Sequence, residues 1–245
     1  MILPDKFVVS TEKNNIYSML KNFIPSDDYY MHYRLEGKAI NNCNDIFFVI
    51  HNGVEAMSRM WMCYGKHDNA VANWGAVFTD EKYRNQGLCR KLLDYCFKYI
   101  DNINASSPTC LLCTAGTLEL TNLYKKYGFL TAINGWARGP LYRPIGNSPA
   151  TFEEFCNQYY TETQSLHIVD ADFNWRNEID CLLKFAFFNL NIKFGFNDVE
   201  CLSELLLKNP QRAKIILSNE EKCVGWIVDN VIQLHPNYIN VPFIF

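Results

Sequence analysis

Residues 77–93, Val-Phe-Thr-Asp-Glu-Lys-Tyr-Arg-Asn-Gln-Gly-Leu-Cys-Arg-Lys-Leu-Leu, read as a strand that ends near Thr79, a short polar turn, and a helix that starts at about Gly87. This stretch narrows the fold more than any other, because a strand that runs straight into a helix N-terminus builds a specific kind of site. The first turn of a helix has unpaired backbone N–H groups and the positive end of the peptide dipole, so it draws anions. Gly87 has no Cβ, which lets a ligand come close to the backbone. Amides from Asn85 to Arg90 can then cradle a pyrophosphate, with the Arg90 and Lys91 side chains near enough to add charge. The Gly-x-Gly-x-x-Gly of dinucleotide folds and the Gly-Lys-[Ser/Thr] ending of the P-loop are both absent, so this is a different phosphate loop.

The elements around it form an ordered series. Phe7–Val9 is a short strand. Ile16, Met19, Leu20 and Phe23 share one face of a helix over 14–23 that Pro25 stops. Asp45–His51 is apolar and β-prone, and Asn52-Gly53 after it signals a two-residue hairpin, with Val54–Tyr64 as the return strand and Ala70–Thr79 as the next. Leu88, Leu92 and Cys96 on one line, beside Cys89, Leu93, Phe97 and Ile100, define a helix over 87–100. Thr109–Thr114 is a short strand buried on both faces. Leu118–Tyr127 is a second helix, closed by Gly128 where a left-handed cap is favoured. Phe129–Ala132 and Leu141–Arg143 are the last strands of this unit, and Pro140, Pro144, Gly146, Ser148 and Pro149 mark a linker.

At 245 residues the chain lies between one domain and two, at ~150 residues per domain. Its 49% hydrophobic and 20% charged residues supply a core and exclude a disordered chain. A net charge of −3 without a basic stripe argues against nucleic acid as a partner. Apolar runs such as 185–188 are too short to span a bilayer, so no membrane partner is expected. The chain opens without a charged-then-apolar leader, so its ten Cys read as reduced thiols of a cytoplasmic protein rather than a disulfide framework. Cys110-Leu-Leu-Cys113 has no second pair to complete a four-ligand zinc site and reads as buried strand thiols; no metal is expected.

The tail has its own sequence of elements: a helix at Phe152–Tyr160, a strand at Leu166–Asp170, helices at Trp175–Asn189 and Val199–Lys208, a hairpin of Ala213–Leu217 and Cys223–Val228, and a strand at Tyr238–Phe245. From Leu166 onward the order strand, helix, helix, hairpin, strand is that of residues 5–80, which reads as a diverged half repeat. A small appended α+β lid with a coincidental order is the alternative.

The loop motif Arg84-x-x-Gly87-x-Cys89, the strand at Thr109–Thr114 and the helix end Tyr124-Lys-Lys-Tyr-Gly128-Phe129 follow one another as in the GNAT superfamily of acyl-CoA-dependent N-acyltransferases, which residues 1–145 resemble. The resemblance implies an α/β (α+β) fold with a mixed central sheet flanked by helices over 1–145, and leaves 151–245 as a smaller C-terminal α/β domain, a degenerate half copy without the acyl-CoA loop. It implies acetyl-CoA, or another acyl-CoA, as co-substrate, entering between the splayed strands Ala70–Thr79 and Thr109–Thr114. Backbone groups along Val77, Phe78 and Thr79 would pair with the pantetheine arm. Arg84 opens the loop, and the amides of Asn85, Gln86, Gly87, Leu88, Cys89 and Arg90 would hold the pyrophosphate. Tyr124 would protonate the leaving thiolate, while amides on the first strand polarise the thioester carbonyl.

Three positions depart from the family pattern. Cys89 replaces a Gly or Ala. Thr117 stands seven before Tyr124, where Asn is common, and could still bond the cofactor arm. Asn73 stands where some members carry a catalytic Glu, leaving His67, Asp68, Glu55 and Asp80 as groups that could act through water. His67-Asp68 otherwise reads as a polar hairpin turn, and Trp61, Met62, Tyr64 and Trp74 as core or as the lining of an acceptor pocket. The resulting reading is an N-acetyltransferase acting on a primary amine, a small molecule by preference. The missing carboxylate at Asn73 keeps a non-catalytic acyl-CoA-binding or interaction module as the alternative. The tail lacks both motifs, which leaves it to cover the acceptor side, to widen specificity or to form a homodimer contact.

Overall fold

Cys43–His51 (β2) and Ala56–Gly65 (β3) bury side chains on both faces, so they need cover on two sides. The computed structural model, which describes residues 4–103, 108–133, 135–188 and 199–244, supplies that cover. Pro4–Val8 (β1) leads into helices Val9–Leu20 (α1) and Tyr29–Leu35 (α2). After β2 and β3 come Val71–Thr79 (β4), Leu88–Asp101 (α3), Cys110–Ala115 (β5), Leu118–Lys125 (α4), Leu130–Thr131 (β6) and Gly139–Pro144 (β7). The seven strands form one mixed sheet in the order β1-β2-β3-β4-β5-β7-β6, in which only β4 and β5 run parallel. Phe48, Met62, Trp74 and Leu111 pack with Leu92, Cys96 and Ile100 of α3 on one face, and Phe47, Val49, Cys63 and Val71 on the other join a cluster with residues of α1, α2 and the tail.

The tail begins with Phe152–Tyr159 (α5), whose Thr151 and Glu154 form a reciprocal capping box. Leu166–Asp170 (β8), Arg176–Phe188 (α6), Val199–Lys208 (α7), Ala213–Ser218 (β9), Cys223–Val228 (β10) and Val231–Leu234 (β11) follow. Its four strands make a separate antiparallel sheet, β11-β10-β9-β8, with two helices between the first strand and the next three. The first four strands of the large sheet have the same order, pairing sense and helix placement. The two halves share one buried cluster that runs from Phe7 and Trp61 to Ile179, Ile215 and Trp226.

Several elements differ from the sequence expectation, each for a local reason. The Asn52-Gly53 connection is four residues long, because the Asn52 side chain accepts from both Val54 N and Glu55 N at 3.0 Å, and β3 starts only at Ala56. α2 was not expected; Asp28 caps it by accepting from Met31 N. Pro140 and Pro144 stand inside β7 rather than in a linker. The described part of the expected strand Tyr238–Phe245, residues 238–244, is not a strand. The third strand of the tail meander is β11, turned by Asp229 and Asn230 with φ of 47° and 67°, and the later segment touches β8 through one bridge, Leu166 to Phe243. Asn189 lies outside the described residues, as does Phe245.

A buried cation ties the halves together. Arg34 on α2 is fully buried, 2.5 Å from Asp45, and its guanidinium lies over the rings of Tyr30, Trp61 and, from the tail, Phe173. Trp61 Nε1 donates to the same carboxylate at 2.8 Å. Asp45→Ala leaves a buried guanidinium without its counter-charge, and is expected to lower the unfolding free energy by about 3–5 kcal/mol in a denaturant titration. In the tail, His235 packs against the rings of both Tyr160 and Phe185, its Nδ1 accepts from Asn237 N, and Nε2 finds no partner among the described residues. Burial lowers its pKa to about 4 from an ordinary value near 6.5. The unfolded chain therefore binds the proton first. Stability is expected to fall as pH falls from about 6.5 towards 4, with no further loss from this group below that, and a His235→Phe variant is expected to lose that part of the slope in melts across pH.

Candidate active site

β4 delivers the chain to the anion loop. After Thr79 a single 3-10 turn, Glu81–Tyr83, is capped by Asp80, which accepts from Lys82 N at 3.0 Å. Arg84 braces the turn, with Nε donating to Thr79 O at 3.1 Å and Nη1 3.2 Å from Glu81. Asn85 and Gly87 are then left-handed, with φ of 62° and 73°, and α3 begins without a side-chain cap. Left-handed residues in such a turn let successive amides converge on one anion. The first helical bond is Lys91 N to Gly87 O at 3.0 Å. Among the described residues, no acceptor meets the amides of Asn85, Gln86, Gly87, Leu88, Cys89 or Arg90. A Cβ on Gly87 would meet nothing within 4 Å, so the backbone conformation rather than crowding by the protein calls for glycine there. The Arg90 side chain is exposed at the rim, and burial pushes the half-buried Cys89 thiol up, away from reactivity.

Upstream of that loop the sheet forks. β4 and β5 pair only at Val71, Ala72 and Asn73 with Cys110, Leu111 and Leu112. Beyond Asn73, β4 stays with β3 and β5 stays with β7 as far as Ala115, so the backbone edges of Trp74–Thr79 and of 113–115 face each other unpaired. A bulge accompanies the parting: Phe78 faces Arg59 and Gly75 faces Trp61, leaving Ala76 and Val77 opposite Met60 alone. Ala76 has φ 51°, and Arg59 Nη1 fixes it by donating to Ala76 O at 2.8 Å.

On the α3 and α4 face of the fork, Trp74 packs against Phe97 and Phe129, and Tyr124 stands edge-on to Trp74 with ring centres 5.0 Å apart. The left-handed Gly128, φ 85°, ends α4 and lets Phe129 turn back beneath Tyr124, whose O accepts from Phe129 N at 3.3 Å. Tyr124 is 5% exposed, its hydroxyl has no hydrogen-bond partner among the described residues, and burial holds the phenol well above its ordinary range. It is therefore a protonated acid at neutral pH.

On the opposite face the tail closes the fork. α6 packs on β3 and β4. The Asn73 side chain lies 2.7 Å from that of Asn177. A carboxylate only accepts and a guanidinium only donates, so the Asn73 amide is oriented with its nitrogen donating to Asp180 Oδ2 at 2.8 Å and its oxygen accepting from Arg176 Nη1 at 2.8 Å. Asp180 is 3% exposed and ion-paired with Lys184 one turn further on.

The other residues singled out in the sequence are engaged elsewhere. Glu55 binds Lys82 and Tyr83 at the loop end of β4. At the other end of the strand, Asp68 accepts from Tyr159 and Ala70 N, and His67 stacks on Trp175 at 4.7 Å. Trp61 lies in the core on one face of the sheet, while Met62, Tyr64 and Trp74 lie on the other, so the four do not line one pocket. Thr117 caps α4 by accepting from Leu120 N at 3.2 Å. Cys110 and Cys113, three apart on a strand, bury against opposite faces. The residues that sequence reasoning missed are those of α6. Their signal was the polar stripe Asn177, Asp180, Lys184 on a helix that also buries Ile179, Cys181, Leu182, Leu183 and Phe185.

A family model described as an acetyltransferase (GNAT) domain matches residues 43–130, from the start of β2 into β6. Over those residues the chain is similar to a GNAT acetyltransferase domain. No curated protein matches the chain. Among solved structures it is similar to a GNAT-family acetyltransferase from Staphylococcus aureus Mu50, with 18% identity and a TM-score of 0.40 over 60% of this chain and 100% of that one. Escherichia coli ElaA is 14% identical with a TM-score of 0.45, covering 58% and 99%. The Escherichia coli GNAT-family N-acetyltransferase YhbS, solved in complex with CoA, is 15% identical with a TM-score of 0.40, covering 60% and 84%.

Proposed function

We propose that this chain is an acyl-CoA-dependent N-acyltransferase that moves an acetyl group from acetyl-CoA to a primary amine. The observation that carries the reading is the run of six unpartnered amides, Asn85 to Arg90, set at the head of α3 where β4 emerges from the fork. Those amides hold the pyrophosphate, and the free edge of β4 over Val77, Phe78 and Thr79 pairs with the pantetheine arm as an added strand would. From Thr79 back to Asn73 the strand covers roughly 20 Å, so the arm leads the thioester towards the apex of the fork. Amides at the Ala76–Val77 bulge polarise its carbonyl. The amine nitrogen attacks that carbon directly. As the C–S bond breaks, the sulfur takes the electron pair and the Tyr124 proton, and the proton shed by the new amide nitrogen returns to Tyr124 through water. Holding both reactants in one fork supplies much of the rate.

The acceptor in this proposal is a small cationic amine. Residues 1–145 form the catalytic unit. Residues 151–245 are a degenerate half copy whose helix α6 walls the acceptor side; the matching strand order of the two sheets supports that division. With its thiols reduced, the chain works in the cytoplasm.

The direct test is acetyl-CoA turnover over a panel of primary amines, with products detected by mass, beside thermal shift with CoA. Tyr124→Phe is expected to lower kcat by on the order of 10–10⁴-fold while the CoA shift is kept. An unchanged kcat removes Tyr124 from the mechanism. Gly87→Val puts a β-branched residue into left-handed backbone, and is expected to abolish the CoA shift. CoA binding by the wild-type chain without turnover of any amine would overturn the transferase reading in favour of a binding module.

A further inference from the structure

An acceptor amine is an ammonium ion at neutral pH. It must lose a proton before its nitrogen can attack, and the amide at Asn73 cannot take one. A carboxylate or imidazole at the apex of the fork would take it, and among the described residues of the first 145 the candidates Glu55, Asp68, Asp80 and His67 are all held at the two ends of β4. The tail supplies one. Asp180 of α6 reaches the side chain of Asn73, the last paired residue before the strands part, at 2.8 Å. We infer that Asp180 binds the acceptor ammonium and takes its proton, so that the tail completes the active site of the front domain. This rests on the acyl-transfer reading above and deepens it.

Two observations separate Asp180 from its neighbours. First, its present partner is itself a primary ammonium, Lys184, one turn further along α6. The protein therefore already holds an alkylammonium on this carboxylate beside the fork, in the arrangement an acceptor would need. Lys184 is the exchangeable counter-ion that occupies the site until the acceptor displaces it. Second, the other carboxylate of α6, Glu178, points elsewhere. Its Oε1 lies 3.1 Å from where a Cβ on Gly65 would be, neither oxygen has a partner among the described residues, and burial pushes the group well above the carboxylate range. Asn73 holds the carboxylate, and the Asn73 amide is itself held by Arg176 and lies against Asn177.

The step balances. The ammonium gives one proton to Asp180, and the neutral nitrogen forms the C–N bond. The C–S bond breaks, the thiolate gains the Tyr124 proton, and the nitrogen gives up a second proton that restores Tyr124. Asp180 releases its own to water, so the sum is amide, free thiol and one proton.

The test uses the full chain and two variants, each measured for amine kcat and KM and for the thermal shift with CoA. D180N is expected to lower kcat by on the order of 10²–10⁴-fold and to raise the amine KM, with the CoA shift kept, because the pyrophosphate loop is untouched. K184M is expected to lower the amine KM several-fold by removing the competing ammonium, an effect that a merely structural pair would not produce. D180N with wild-type kcat and KM overturns the assignment and leaves acyl transfer standing. Loss of the CoA shift in D180N means that the residue acts through the fold, and overturns it too. If D180N does not fold, K184M decides, and an unchanged amine KM overturns the assignment. Acetylation of Lys184 itself by acetyl-CoA alone would make Lys184 an acceptor rather than a counter-ion, and would also overturn it. A wild-type chain that binds CoA and acetylates nothing overturns the transferase reading and this one together.

Discussion

Two parallel strands that stay hydrogen-bonded leave no room between them. Everything at this site follows from the fact that β4 and β5 stop pairing after Asn73 and Leu112. The parting is enforced from both outer edges. Arg59 on β3 grips the bulged Ala76 carbonyl, and β7 keeps β5 straight as far as Ala115. The cost is a row of unpaired backbone groups on facing edges, which is tolerable only where water or a ligand can satisfy them. The fork is thus an extended hydrogen-bonding slot, and the loop at its mouth points six more amides at whatever enters.

The fork has two walls of different chemistry. Trp74, Phe97, Phe129 and Tyr124 make an apolar wall with one polar end, which suits a thioester and its leaving sulfur. The other wall is polar and comes from far along the chain, as Arg176, Asn177, Asp180 and Lys184 on α6. From the first half, Asn73 joins it, and the Cys63 carbonyl accepts from Asn177. Arg34, sandwiched between rings of both halves, keeps the second wall in register with the first.

What could be read from the sequence is what depends on neighbours a few residues apart. The glycine-led turn into α3, the Tyr124 to Phe129 helix end and the apolar strands are encoded in local spacing, and they stand where the residues imply. The errors arose where a side chain bonds its own backbone or where the signal is a weaker turn pair. Asn52 closes its own turn and delays β3, Asp28 caps an α2 that lacks a strong apolar stripe, and Asp229-Asn230 turns a hairpin without glycine. The polar wall was illegible for another reason. Asn73 and Asp180 are more than a hundred residues apart, and nothing within either segment reports on the other. A hydrophilic stripe on a helix that also buries apolar residues was the one local trace.

The single buried cluster that spans both halves has a consequence for how the molecule melts. Because Trp61 and Val71 of the large sheet are packed in the same interior as Ile179, Ile215 and Trp226, neither half can lose its order without stripping the other's core. Unfolding is then one concerted event, and a ligand seated in the fork raises the melting point of residues it never touches, out to the far strands of the small sheet. Cutting the chain near residue 150 would not release a minimal enzyme. It would expose the apolar underside of β3 and β4, and the fragment would aggregate.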